Sequence, residues 1–288
     1  MIVWLASYPR SGNTLLRTVL CVTLGEKSYA DPGSWSRILE RDPVRVQLDK
    51  KLDAIVNYSR MPEESWESFY PKALVDEQLH LVKSHDSPSD DCRAIYIVRD
   101  GRKSCYSYSL FHKDRLPQEK RTLLEVVTGD DYFGDWTSSY KAWNDFRRPD
   151  SKTLLLRFEE VVNASGETVS TIAEFLGISG TEKESPWENP FQELQNARPD
   201  FFREGQVAWT GEEGWTNEVE WTFRLFHGEL MTELGYELGP EPEMTDKEIA
   251  RAASQVLHIL DHPRVPFRAV QRDPEEEARI RAVCESVK

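Results

Sequence analysis

Long hydrophobic runs are missing from this 288-residue chain. The N-terminus offers only Ile2 to Ala6 as an apolar stretch, with no basic residue ahead of it. Such a stretch is too short for a secretory signal and far too short for a transmembrane helix, and no other segment comes near spanning length. Cysteine is scarce. Cys21, Cys92, Cys105 and Cys284 show no C-x-x-C spacing, so no metal site is suggested and reduced thiols in a cytoplasmic protein are the default. Basic charge is also short: 36 Lys and Arg face 50 Asp and Glu, a net charge of -14. That balance argues against nucleic acid or an anionic membrane surface as a partner, and it requires any site for a nucleotide anion to be a local basic island. No internal repeat is visible. The remaining composition, 39% hydrophobic and 30% charged, is that of a soluble globular protein. The length suits one α/β domain with a large core, or two small ones.

The apolar residues fall into runs rather than alternations. Met1 to Ala6, Leu79 to His85, Arg93 to Asp100 and Thr153 to Phe158 read as four strands buried on both faces of a parallel sheet. Helical patterns lie between them over 14–24, 50–59, 101–113, 120–128 and 135–148. Another carries Val169, Ile172, Phe175 and Leu176 and stops at Gly177. This order predicts a doubly wound α/β sheet flanked by helices, with ligands at the C-terminal ends of the strands. Residues 182–217 lack periodicity, as a lid or binding loop does. Helix returns over 217–236. A polar helical tail, 245–288, broken at Pro263 and Pro266, reads as a surface or oligomer-contact appendage.

The densest signal is Tyr8-Pro9-Arg10-Ser11-Gly12-Asn13-Thr14, directly after the first strand and before Leu15, Leu16, Val19 and Leu20. A strand, a tight glycine turn and a helix N-terminus build an anion cradle from backbone N–H groups and the positive helix end. Set against G-x-x-x-x-G-K-[ST], Ser7 takes the first glycine position, Gly12 the second and Thr14 the hydroxyl position. Asn13 replaces the lysine that reaches the β/γ-phosphates, and Arg10 puts a charge inside the loop. A kinase or NTPase loses weight. A phosphate-containing donor without a γ-phosphate gains it.

Two more groups stand at strand ends. Arg99 closes the third strand and Ser107 follows eight residues later in a helical pattern, a guanidinium and a hydroxyl placed to hold one phosphate. Lys83-Ser84-His85 ends the second strand. A histidine there suits general-base work on a hydroxyl, beside a cation that stabilises leaving charge.

Together these segments resemble a PAPS-dependent sulfotransferase of the bacterial small-molecule type (PAPS is 3′-phosphoadenosine 5′-phosphosulfate). Tyr8 to Thr14 resembles the family's 5′-phosphosulfate loop, Val82 to His85 its base-bearing strand end, and Arg99 with Ser107 its 3′-phosphate site. Phe202-Arg203-Glu204-Gly205 resembles its late Arg-Lys-Gly element, with Trp209 just beyond. Pro190 to Leu194 resembles the helix start that brings an aromatic to the adenine, and Phe223 to Tyr236 the closing helix. The likeness runs in family order from residue 1 to about 240. It implies a P-loop-like fold, with a domain over 1–240 and a helical extension over 241–288 packed on it.

The resemblance also implies roles. Arg10 contacts the phosphosulfate and stabilises the leaving oxygen. Ser11, Gly12, Asn13 and Thr14 bind the 5′-phosphate through backbone N–H groups and the Thr14 hydroxyl. His85 takes the acceptor's proton and Lys83 supports developing charge. Arg99, Ser107, Arg203 and Gly205 hold the 3′-phosphate, with Glu204 beside it, and Phe158 and Phe191 line the adenine pocket. PAPS is the donor, PAP the product, and no metal is needed. The implied partner is a small-molecule acceptor with a hydroxyl or phenol: a natural product, a glycoside or a lipid-linked sugar. Trp66, Tyr70, Tyr106, Tyr132 and Trp136 are candidates for an aromatic acceptor pocket or ordinary core. A homodimer stays open. Four departures stand out: Arg10 for a usual lysine, Leu15 for an adenine-stacking tryptophan, Phe158 for a tyrosine, and Glu204 for a lysine. The alternatives are a small-molecule or nucleotide kinase on the same fold, and a non-catalytic nucleotide binder.

Overall fold

The computed structural model describes residues 1–29, 57–60, 65–115, 120–144, 152–179, 187–197, 209, 211–265 and 267–288. They fall into two compact units. The sheet unit comprises the described residues within Met1–Ser7, Ser11–Arg99 and Trp143–Val207. The helical unit comprises those within Tyr8–Arg10, Asp100–Ala142 and Ala208–Lys288.

The sheet unit holds six strands in the order β3-β2-β4-β1-β5-β6, every pairing parallel. They are β1 (Ile2–Ala6), β2 (Ser28–Tyr29), β3 (Ser59–Arg60), β4 (His80–Ser84), β5 (Arg93–Val98) and β6 (Thr153–Arg157). The four longer strands are those expected from the apolar runs. Continuous apolarity has its reason here: both sheet faces are covered. Val3, Leu5, Leu81, Ile95, Ile97 and Leu156 share one core with α1 (Asn13–Leu24), α6 (Phe158–Asn163) and α7 (Gly166–Leu176). Trp4, between Val3 and Leu5, faces the other way, 6.1 Å from Trp66 of α2 (Trp66–Val75) and 6.4 Å from Trp143. β2 and β3 add a short edge. Residue 59, expected in a helix over 50–59, is in strand, and 50–56 lie outside the described residues.

The helical unit contains α3 (Gly101–Arg115), α4 (Leu123–Val127), most of α5 (Trp136–Asn144), α9 (Asn217–Glu233), α10 (Asp246–Asp261) and α11 (Pro274–Ser286). The α8 helix (Phe191–Ala197) belongs to the sheet unit. The helix expected over 120–128 shrinks to α4 because Thr122 caps it, its side chain accepting from Glu125 N while Glu125 reaches back. The polar tail is less superficial than its composition suggests. Ala253, Val256, Leu257, Ile280 and Cys284 are buried in one cluster with Phe226 of α9. Before α11, Arg272 reaches Asp135 at 3.1 Å, and the amides of Arg264 and Val265 donate to Asp130 at 3.1 and 3.2 Å. The segment 128–135 thereby receives the tail on buried carboxylates. Among the described residues no helix is long and apolar enough to cross a membrane.

Candidate active site

In the sheet unit the C-terminal edges of β4, β1 and β5 lie side by side, and each is followed by part of the site. After β1 the chain turns at Gly12, φ 107°, into α1. Glycine is needed twice over there: the conformation disfavours a side chain, and a Cβ would stand 2.5 Å from Phe158 Cδ2 and 3.1 Å from Ile97 Cδ1. Gly12 caps α1 without a side-chain hydrogen bond. The N–H groups of Asn13, Thr14 and Leu15 have no acceptor within a helix that starts there, so the first turn presents donors to an anion.

The Asn13 side chain does not serve that anion. Its Nδ2 donates to Leu5 O at 2.8 Å and to Ser7 Oγ at 3.4 Å, and it is 5% exposed. Asparagine at the lysine position of the nucleotide loop is thus a buried tie between β1 and α1. Its contribution to a ligand can only be its amide.

Ser7 also reaches the candidate base. His85, next after β4, has Nδ1 2.7 Å from Ser7 O and 3.3 Å from Ser7 Oγ. A carbonyl only accepts, so Nδ1 carries the proton and the neutral ring has its lone pair on Nε2. Trp143 Nε1 donates to Asp86 O at 2.9 Å and Ser84 Oγ accepts from Asp86 N at 3.0 Å, fixing the turn that follows His85. Lys83 lies in β4 opposite Leu5, half-buried.

At the end of β5, the Arg99 guanidinium lies over the Phe158 ring, 4.3 Å from its centroid. Phe158 also closes on Gly12, so one aromatic ring links the turn to Arg99. Phe191, the first residue of α8, donates its amide to Asn189 Oδ1 at 3.0 Å. Trp66 and Tyr70 pack at 5.2 Å. The Tyr70 hydroxyl donates to Asp90 at 2.7 Å, and burial, then Asp90, push the phenol up to about 12.

In the helical unit Arg10 has φ 66°. Its Nε donates to Ser107 Oγ at 3.1 Å and its guanidinium lies 5.8 Å from the Phe111 ring, one turn further along α3. A residue assigned to the 5′ end of the donor is thus joined to one assigned to the 3′ end. Tyr8, fully buried, meets Tyr108 edge-on at 5.8 Å, and burial, followed by Cys105, drives its phenol well above the usual range. The Tyr108 hydroxyl donates to Asp131 at 2.7 Å, and His112 stands 3.0 Å from the same carboxylate. Burial raises the Asp131 carboxyl, but the hydrogen bond and charge of His112 bring it below the usual range. Trp136 is wholly buried, edge-on to His227 at 5.8 Å, which makes it core. Lys103 and Arg102 lie 5.6 and 5.4 Å from the Trp209 ring. Arg203, Glu204 and Gly205 lie outside the described residues.

Among the contacts that residue types and spacing do not mark are Ser7 as orienter of His85 and Tyr108–Asp131 behind the Tyr8–Arg10 turn. Strand-end position marks His85 and Arg99. Nothing in spacing marks a carbonyl partner 78 residues away.

Comparison with known proteins identifies the family. Residues 2–210 match the sulfotransferase domain. The chain belongs to the sulfotransferase family. Among relatives, "Cytosolic sulfotransferase 13" of Arabidopsis thaliana is 25% identical over 188 residues, covering 62% of this chain and 55% of its own length. Human "Sulfotransferase 4A1" is 25% identical over 182 residues, covering 62% of this chain and 60% of its own. The matched part thus spans rather more than half of these relatives. The fold is shared with mouse sulfotransferase SULT7A1 complexed with PAP, with a TM-score of 0.52 at 17% identity, over 89% of this chain and 88% of that one. For this member of the family, the α/β sheet with helices on both faces is the family's P-loop-like architecture.

Proposed function

We propose that this chain transfers a sulfuryl group from PAPS to a hydroxyl or phenol of a small-molecule acceptor, with His85 as general base. The observation that carries the reading is Ser7. It opens the anion loop, receives Asn13, and sets the tautomer of His85, so cradle and base share one residue. Each unit by itself carries groups suited to a phosphorylated nucleotide: in the sheet unit the backbone N–H groups of Asn13 to Leu15 and Arg99 on Phe158, in the helical unit Arg10 with Ser107. Relatives named as sulfotransferases, and a neighbour solved with PAP, support the same donor.

When bound, PAPS supplies an activated sulfuryl group on a phosphate leaving group. His85 Nε2 takes the acceptor's proton. The Nδ1–H bond to Ser7 O strengthens as the ring becomes cationic, which stabilises the product of that transfer. Arg10 stays protonated, so it stabilises leaving charge without giving up a proton; Lys83 is the cation able to give one. Arg99 in the sheet unit and Ser107 in the helical unit carry the 3′-phosphate roles that the resemblance implies. The kinase alternative draws no support from the loop, because the side chain at its lysine position is spent inside the fold. The acceptor is uncharged or cationic, in keeping with a net charge of -14. A cytoplasmic setting is supported by the cytosolic relative.

Calorimetry with PAP, then transfer of labelled sulfate from PAPS to a panel of phenols and sugars, tests the reading. Micromolar PAP binding and label transfer are expected. No PAP binding at that level overturns the donor assignment. PAP binding with tighter ATP–Mg binding and γ-phosphate transfer overturns it in favour of a kinase.

A further inference from the structure

The helical unit carries a cationic cavity that none of the donor contacts uses. It measures about 440 Å³ and lies between α3, the start of α4 and the segment leading to α11. It is lined by the apolar side chains Leu110 and Leu123 and by the cations Lys113, Lys120, Arg121 and Arg264. Four cations thus gather on one cavity of a chain whose net charge is -14.

The two arginines are held from behind. Arg264 Nη1 bonds Glu125 Oε1 at 2.8 Å and Lys120 O at 3.3 Å, and its amide is tied to Asp130. The Arg121 Nε stands 3.9 Å from buried Asp131, and its side chain is only 12% exposed. Lys113 and Lys120 are exposed and make no ion pair among the described residues. Among the described residues the carboxylates thus answer the two arginines, while Lys113 and Lys120 add exposed charge. The hydroxyls at the cavity are already committed, Ser109 to Tyr106 O at 2.8 Å and Thr122 to Glu125 at 3.0 Å. Recognition there falls to the cationic side chains and to apolar contact with Leu110 and Leu123.

On helical geometry Lys113 is about 9 Å along α3 from Ser107 and roughly 120° around it. The cavity therefore opens on another side of α3 from the side that meets Arg10. We propose that it is a second anion site, for a small organic sulfate or phosphate monoester: an anionic head among Lys113, Lys120, Arg121 and Arg264, and an apolar body on Leu110 and Leu123. A sulfate ester is also the class of product the proposed reaction makes, but this site stands without that reaction.

The test titrates p-nitrophenyl sulfate and, separately, p-nitrophenyl phosphate into the full chain by calorimetry, with and without saturating PAP. One site per chain is expected, indifferent to PAP and weakened by added salt. It should weaken about tenfold or more in Lys113→Ala/Lys120→Ala, from loss of charge-assisted contacts. Both lysines are exposed, so that variant keeps the fold; unchanged PAP affinity verifies it. Tighter phosphate ester supports a dianion site, and tighter sulfate ester a monoanion site. No binding of either probe, equal binding by the double variant, or complete displacement by PAP overturns the proposal. Should PAP itself fail to bind, the donor assignment falls while the titrations without PAP still decide this site.

Discussion

The two units hold their candidate site residues by different physics. In the sheet unit the loop, His85 and Arg99 are held by neutral partners: a carbonyl on His85, a phenyl ring under Arg99, an amide side chain bracing the loop. In the helical unit the contacts are backed by buried ionisable groups. Asp131 stands behind Tyr108, and Asp135 answers Arg272 and the Ser138 amide, the latter at 2.8 Å. Beside them His227 bonds Val127 O at 2.9 Å and Thr137 Oγ1 at 2.8 Å in full burial. Sheet edges supply geometry through the backbone, which no proton can switch off. A helical assembly must tie its loops through side chains, and buried charge is a strong but pH-dependent tie.

Four measurements break or sharpen this contrast. The largest effect is expected at His85. His85→Ala should lower kcat by about 100- to 10,000-fold while PAP affinity stays near that of the parent chain. An unchanged transfer rate would remove the sheet unit's base from the mechanism.

The second separates the units by pH. Burial brings His227 from 6.5 to about 4. Between those values the unfolded chain takes up a proton that the folded unit refuses, so stability falls as pH falls through the window. At about 1.4 kcal/mol per pH unit, that loss reaches about 3 kcal/mol by pH 4. Asp131 and Asp135, both below the usual carboxylate range, add further loss below about pH 4, as they are protonated. Hydrogen exchange followed from pH 7 to 4 should show α5 and α9 losing protection before β1, β4 and β5. Simultaneous loss in both units would erase the distinction.

Third comes Gly12→Ala. A Cβ against Phe158 at a positive φ should cost about 1–3 kcal/mol, read as a lower melting temperature, and should abolish PAP binding at micromolar levels. The smallest effect belongs to Ser107→Ala. Losing one hydrogen bond to Arg10 should cost about 0.5–1.5 kcal/mol, a few-fold rise in KM for PAPS with stability little changed. A fall in melting temperature as large as that of Gly12→Ala would make Ser107 structural instead.

What was legible in the sequence follows the same divide. β1, β4, β5 and β6 announce themselves because both their faces are covered, and their ends point to His85 and Arg99. β2 and β3 are two residues each, Ser28–Tyr29 and Ser59–Arg60, too short for any period to show. The α2 helix contains Pro71, which hides it from a pattern search. Polar composition disguised the tail, whose buried stripe is narrow and flanked by charge. At the site, residue types could be read but not pairings. Arg10 meeting Ser107 and Asp131 behind Tyr108 are long-range contacts that only the folded chain reveals, and the inward turn of Asn13 onto Leu5, though local, leaves no mark in residue spacing.

The bond from His85 to Ser7 has a consequence for mutational drift. The accepting atom is a main-chain oxygen, which every residue type possesses. Position 7 can therefore vary through evolution, or be redesigned to reshape the loop, without deleting the acceptor that selects the ring's tautomer. The orientation of the base is buffered against substitution at the very residue that provides it, and it depends instead on the path of the backbone between β1 and Gly12.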